Sequence, residues 1–331
     1  MKRWSAGRML ALYGLSAVGW ALVALGCLMV GSTGSIGWPD RAVLGFRLEP
    51  VLLASLVGAA LAAAGVTYQA LLANPLADPY LLGTSSGAML ASYLGTLPAL
   101  TTISITGLLG QQAMAFLGGL LAVTTVLAIA GHRGRLEPVT LILVGVIVNS
   151  FCSAVFLLVN AVVKDPATPG GPLLFLVGGL QTNLQRWQMI ASAVVAAAAW
   201  GMTAYLAGVL NVGSMEDAEA ESLGVPINRL RWIGVGTASL MTAAAVAVSG
   251  PIGFVGLICP HLGRLFVGPD VRRLLPVATA LGAILLCSAD AAARKLASVG
   301  PVGTYLPVGV ITSMLGGPFF LMLLLTRKPR A

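Results

Sequence analysis

Charge is scarce in this chain. Only 9% of its 331 residues are Asp, Glu, Lys or Arg, and 2 are His, whereas soluble domains carry roughly 25% charged residues. A hydrated globular surface is therefore excluded, and few groups remain for acid–base chemistry. The histidines, His132 and His261, are far apart, and Cys27, Cys152, Cys259 and Cys287 each stand alone in an apolar run. With no C-x-x-C pair and no His at ligand spacing, a zinc site or dithiol centre has no basis, and the cysteines read as small packed hydrophobes. There is no G-x-x-x-x-G-K-[ST] loop. None of the lysines, Lys2, Lys164, Lys295 and Lys328, follows a glycine, so the chain has no phosphate cradle of its own. A formal G-x-S-x-G match at Gly83–Gly87 opens an apolar helix rather than a strand-to-helix elbow and lacks a base. Ser85 and Ser86 read instead as partners of helix backbone groups or as lining of a pathway.

Apolar residues make up 57% of the sequence and mean hydropathy is +0.93, so lipid is the solvent for most of the chain. Crossing a bilayer takes roughly 20 apolar residues. Ten segments qualify: 9–30, 51–72, 80–108, 112–131, 139–163, 187–210, 232–249, 252–268, 274–293 and 306–326. The breaks carry turn chemistry, as at Asn74-Pro75 and Asp165–Pro172. Lys2, Arg3 and Arg8 precede an apolar run too long for an ordinary signal peptide, which favours an uncleaved first span. The net charge of +8 comes from scattered basic residues rather than a cluster, which points to a membrane surface and away from nucleic acid. With both termini inside, thirteen of the nineteen Lys and Arg fall on the cytoplasmic side and six outside, in line with the positive-inside bias. The 41 glycines suit close helix packing. Pro251, Pro260, Pro276, Pro307 and Pro318 are expected to kink or break helices.

One polar segment interrupts this pattern, Gly213–Arg231, on the cytoplasmic face in this topology. It reads as two short helices: Ser214 caps the first, acidic residues occupy its early turns, Leu223-Gly224 ends it, and Pro226 begins the next. His261 and Arg264 read as polar groups at the cytoplasmic interface. Asp290 stands four residues before Arg294, the spacing of a structural salt link.

Four further motifs accompany this segment: Tyr68-Gln69 with Asn74–Gly83 (NPLADPYLLG), Gly250–His261 (GPIGFVGLICPH) with Arg264, Leu306–Gly309 (LPVG), and Gly316–Phe320 (GGPFF). Together they resemble the FecCD-like permeases, the membrane subunits of type II ABC importers for cobalamin, ferric siderophores or haem. The similarity runs from Arg47 to Arg327. It implies an all-α polytopic fold of about ten transmembrane helices, one permease domain over 1–331, in the bacterial cytoplasmic (inner) membrane. It also implies a homodimer, two ATP-binding cassette subunits that hold ATP and Mg, and a periplasmic or lipid-anchored binding protein, with no cofactor on this chain.

Residue by residue, the resemblance assigns Glu216, Glu219, Ala220, Leu223, Gly224 and Val225 to a coupling segment within 214–230, with Ala220 and Leu223 packing into the ATPase. Asn74 and Leu76 match inner-gate positions, and Val139 and Thr140 lie where a second gate element is found. Arg47 and Arg294, with Lys295, match the outward arginines that meet the binding protein. Glu49-Pro50 and Tyr305 depart from the family pattern on that outer face. The alternative, an ion-coupled secondary transporter of a small organic solute, would bury carboxylates or His at mid-membrane depth, and Asp290 beside Arg294 is a poor candidate.

Overall fold

The computed structural model describes residues 6–31, 36–97, 105–132, 134–163, 177–180, 184–215, 217–298 and 306–326. Within them run α1 (Ala6–Leu28), α2 (Arg41–Leu71), α3 (Thr84–Thr96), α4 (Ile105–Ala130), α5 (Pro138–Val163) and α6 (Arg186–Gly213). They are followed by α7 (Asp217–Ser222), α8 (Ile227–Ser249), α9 (Val255–Val267), α10 (Val271–Ala297) and α11 (Val308–Thr326). A 3-10 turn at Pro79–Leu82 leads into α3. The β pairing among the described residues is a single bridge between Val30 and Ile36.

Each of the ten predicted segments corresponds to a helix, and the short α7 lies in the polar segment. Seven helices, α1, α2, α4, α5, α6, α8 and α10, are long and apolar enough to cross a membrane. The expectation of full spans over 80–108 and 252–268 is corrected. α3 and α9 have 13 residues each, about 20 Å of helix against a hydrocarbon core of about 30 Å. Backbone conformations set these limits: Gly83 is left-handed (φ 79) before α3 and Leu97 is extended after it, while Phe254 (φ 69) and Gly268 (φ 78) bound α9. α11 runs 19 residues, Val308–Thr326, about 28 Å of helix and close to the hydrocarbon thickness.

Other boundaries shift for the same kind of reason. α2 begins at Arg41 rather than near 51, running through Pro50. The expected break between 108 and 112 is a bend inside α4 at Gly110 (φ 74, ψ 162). Pro251 and Pro307 do lie in breaks, before α9 and α11, but Pro260, Pro276 and Pro318 sit within helices that continue past them. The break predicted at 165–172 lies outside the described residues.

The core is built on α2, which packs against α10, α8 and α9. Small residues make this approach close, as their abundance predicts. A Cβ added to Gly58 on α2 would lie 2.1 Å from the Gly282 carbonyl oxygen on α10, and one on Gly65 would lie 2.0 Å from the Gly256 oxygen on α9. Lipid gives helices no hydrophobic drive to associate, so this backbone-to-backbone packing supplies the cohesion. α1 and α5 lie at the periphery with apolar outer surfaces, including Leu15, Leu22, Leu143, Ile147 and Phe151.

Candidate functional site

The polar segment folds in a way its sequence shows only in part. α7 runs Asp217–Ser222, and Gly224 terminates it in the left-handed region (φ 78), with the Val225 N–H returning to the Ala220 carbonyl at 3.1 Å. Pro226 precedes α8 directly, so the second short helix expected here is the first turn of a long one. Ser214 is not the cap of α7: it follows α6 as its C-cap, and its hydroxyl donates to the Asn211 carbonyl at 2.8 Å. Glu216 lies outside the described residues.

α7 has two distinct faces. Leu223, beyond its last turn, is 63% exposed and Ala220 is fully buried, while Glu219, Glu221 and Ser222 are exposed. The expectation that Ala220 packs into a partner is therefore corrected: its methyl group belongs to this chain's own core, and Leu223 is the exposed apolar side chain. The six-residue helix is held from below by Arg231 of α8. Arg231 is buried, donates to the two Asp217 carboxylate oxygens at 2.6 and 2.8 Å, and donates to the Leu136 carbonyl at 3.0 Å.

Asn228 adds a second brace. Its amide donates to the Gly134 carbonyl at 2.7 Å, and its oxygen accepts the Leu136 N–H at 3.0 Å. An exposed ion pair, Arg135–Glu221 at 3.3 Å, contributes about 0–1 kcal/mol. The braces tie α7 and the start of α8 to the turn that enters α5. Val139 and Thr140 stand on the first turn of α5: Val139 is 69% exposed, and the Thr140 hydroxyl donates to the Glu137 carboxylate at 3.3 Å. Arg133 lies outside the described residues.

Asn74 and Leu76 lie in the loop between α2 and the 3-10 turn. The Asn74 side chain accepts the Leu76 N–H at 3.0 Å, and its carbonyl accepts the Ala77 N–H at 3.1 Å, an Asx-type turn. Ala73 holds a left-handed conformation (φ 46). Among the described residues no hydrogen bond or ion pair joins this loop to α7. The structure thus brings α7 and the start of α8 against the turn that leads to Val139 and Thr140 and leaves Asn74 and Leu76 on a separate attachment.

At the opposite end of the molecule, Arg47 and Arg294 both turn inward. Arg47 Nη1 donates to the carbonyls of Leu28, Met29 and Gly37 at 3.1–3.2 Å. Arg294 donates to Val30 O at 2.8 Å and pairs with Asp290 at 3.0 Å, the link its spacing predicts. The two guanidiniums thereby satisfy carbonyls that the end of α1 leaves without helical partners. This is a structural role that the sequence did not reveal, and it leaves Lys295, exposed in the last turn of α10, as the outward cation beside them. Tyr305 lies outside the described residues. Arg294→Lys keeps the pair with Asp290 but loses the reach to α1, and is expected to cost about 1–2 kcal/mol. Thermal unfolding in detergent, with faster hydrogen exchange confined to the end of α1, would register it.

Two other sequence readings can be placed. The Ser86 hydroxyl donates to the Gly83 carbonyl at 3.1 Å, serving the helix backbone as expected. His261 makes an edge contact with the Phe319 ring, centroids 5.6 Å apart, and no group of three His, Cys, Asp or Glu fit to hold a metal occurs among the described residues.

Long apolar helices with polar clusters gathered in their connections make this a multi-pass membrane protein. The chain belongs to the FecCD transport family, whose model matches residues 11–326. It is 41% identical over 289 residues to the cobalamin import system permease protein BtuC of Halobacterium salinarum, covering 86% of this chain and 73% of that one. It is 37% identical over 285 residues to the hemin transport system permease protein HmuU of Yersinia pestis, covering 86% and 83%. To the Fe(3+) dicitrate transport system permease protein FecC of Escherichia coli it is 36% identical over 290 residues, covering 87% and 84%. Its fold is similar to a solved metal-chelate type ABC transporter in an inward-facing conformation, with a TM-score of 0.81 at 26% identity over 96% of this chain and 100% of that one.

Proposed function

We propose that this chain is the membrane permease subunit of a type II ATP-binding-cassette importer that moves cobalamin, a ferric siderophore or haem into the cytoplasm. Residues 1–331 form one permease domain, with 214–230 as its coupling segment. It works as a homodimer in the bacterial cytoplasmic membrane with both termini inside. Two cassette subunits carry ATP and Mg beneath it, and a periplasmic or lipid-anchored binding protein delivers the cargo above.

The observation that carries this reading is the bracing of α7. A short helix with exposed carboxylates and an exposed Leu223 just beyond it, yet fastened through Arg231 to the turn that enters a membrane helix, is suited to receive a push and pass it on. A solvated loop needs neither feature. The permease supplies no covalent chemistry; it shifts between outward- and inward-facing states, and nucleotide binding on the partner supplies the difference in free energy.

The test is reconstitution into liposomes with the cognate cassette subunit and binding protein, offering the three cargo classes separately. Uptake is expected to require ATP inside and all three components. Glu219→Arg and Leu223→Arg are expected to reduce it while the permease remains assembled. Uptake driven by a proton gradient in the absence of any nucleotide-binding subunit would establish the ion-coupled alternative instead.

A further inference from the structure

We propose that Gln69 is the positioning residue of the loop bearing Asn74 and Leu76, and that it fastens this loop to α9 through Arg264, so that a displacement of α9 carries the loop with it. The inference rests on the reading of Asn74 and Leu76 as inner-gate residues.

Gln69 sits in the last turn of α2 and is 3% exposed. Both N–H donors and the oxygen of its side-chain amide are engaged across elements. The oxygen accepts from Arg264 Nη2 at 2.5 Å, and the nitrogen donates to the carbonyls of Ala77 at 3.3 Å and Gly256 at 3.2 Å. Its backbone carbonyl accepts the Asn74 N–H at 3.2 Å. One residue thus holds both ends of the loop, and holds it to α9 at the helix's start and again near its end. Arg264 reaches back to Gln69 because helical side chains lean toward the N-terminus.

The next element is fastened to the same body. The Tyr80 hydroxyl donates to the Ile252 carbonyl at 3.1 Å and accepts the Ile252 N–H at 2.9 Å. Pro79 lies so near Gly256 that a Cβ there would be 2.5 Å from its ring. Sliding the loop over α9 would strand several buried donors and acceptors at once, each without water to replace its partner. Moving the loop, α9 and the last turn of α2 as one body strands none. Joints flank this body: Gly250 (φ 66, ψ -176), which caps the end of α8, and Gly268 (φ 78, ψ -173), which caps the end of α9, adopt backbone conformations open essentially to glycine alone.

The experiment measures hydrogen exchange of residues 72–78 in the assembled transporter, together with cargo leak from loaded liposomes without ATP. Gln69→Leu and Arg264→Met are each expected to accelerate exchange in the loop about tenfold, even though Arg264 lies on another helix, and to raise the leak. Arg264→Lys, which retains a donor, is expected to restore much of the protection. Unchanged loop exchange in Arg264→Met would overturn the fastening, and that variant decides the matter if Gln69→Leu does not assemble. Accelerated exchange with unaltered leak and uptake would uphold the fastening and refute the gate role of Asn74 and Leu76.

Discussion

Replacing Arg231 with methionine is expected to lower ATP-driven uptake by about tenfold or more, while the helices stay packed and the cassette subunits continue to hydrolyse ATP. The expectation comes from weighing what the guanidinium does for stability against what it does for transmission. Breaking a buried ion pair usually costs about 3–5 kcal/mol because a charge is left buried alone. Here the abandoned partner is Asp217, whose side chain is 51% exposed against 7% for Arg231. Water can take over the carboxylate, and the methionine stem can cover the surface that the arginine stem covered. The loss in stability is then about 1–2 kcal/mol, too little to unfold a helix bundle.

The same substitution removes every bond that Arg231 makes from α7 and α8 to the Leu136 carbonyl. Asn228 remains, and Asn228→Leu in the same chain is expected to remove most of the residual coupling. Uptake and ATP hydrolysis measured in the same liposomes separate the outcomes: hydrolysis without uptake is uncoupling, and loss of both is misassembly. Full uptake in the double variant would show that the push from the cassettes travels by another route.

These attachments divide Thr140 and the loop bearing Asn74 and Leu76, the two gate elements proposed above, between different bodies. Thr140 follows α7 through the braces of Asn228 and Arg231, whereas Asn74 and Leu76 follow α9 through Gln69. On the function proposed above, a cassette that moves α7 would act on the start of α5 directly and would reach the 72–78 loop through the packing of α8 against α2 and the 3-10 turn.

The bundle was legible because bilayer thickness imposes a length on every span, and apolar runs separated by turn residues reveal it. The failures fall where tertiary packing overrides that local rule. Pro50 was read as lying on the outer face, before a span, yet α2 runs through it. Gly110 bends α4 where the sequence suggested a gap. The Asp290–Arg294 pair was legible because both partners lie on one helix face four residues apart. Gln69–Arg264 and Arg231–Leu136 were not, since their partners are 195 and 95 residues apart and no periodicity joins them. The motif placed Ala220 and Leu223 in a coupling segment but could not assign their faces, because a six-residue helix is too short to show which side is buried. Arg47 and Arg294 were expected to face outward for want of any sign that the end of α1 would leave carbonyls to be met.

Gly58→Val is expected to prevent stable assembly of the bundle, and Gly58→Ala to be nearly as damaging. In most cores the cost of a substitution grows with the size of the group added. At this crossing the first carbon is already the obstacle: a Cβ on Gly58 would stand 2.1 Å from Gly282 O, 2.7 Å from Gly282 C and 2.9 Å from Leu286 Cβ. All of these belong to α10, and two are backbone atoms that no rotamer change can move. α2 and α10 must separate by about 1 Å to restore van der Waals distance. That separation would also pull at the Ser55–Cys287 contact of 3.1 Å and the Cys287–Val51 contact of 3.4 Å, and would loosen Arg294, which pins the end of α1. In a bilayer no hydrophobic gain draws the helices together again, because lipid solvates the exposed faces as well as they solvate each other. Gly201 and Gly236 are the controls: neither has an atom within 4 Å of its would-be Cβ, and alanine there is expected to be neutral or to stabilise by about 0.5–1 kcal/mol through helix propensity. Folded yield after gel filtration and the unfolding temperature in detergent compare the four variants. If Gly58→Ala matched Gly236→Ala, the backbones of α2 and α10 could not be in contact, and the bundle would have to be held by side chains instead.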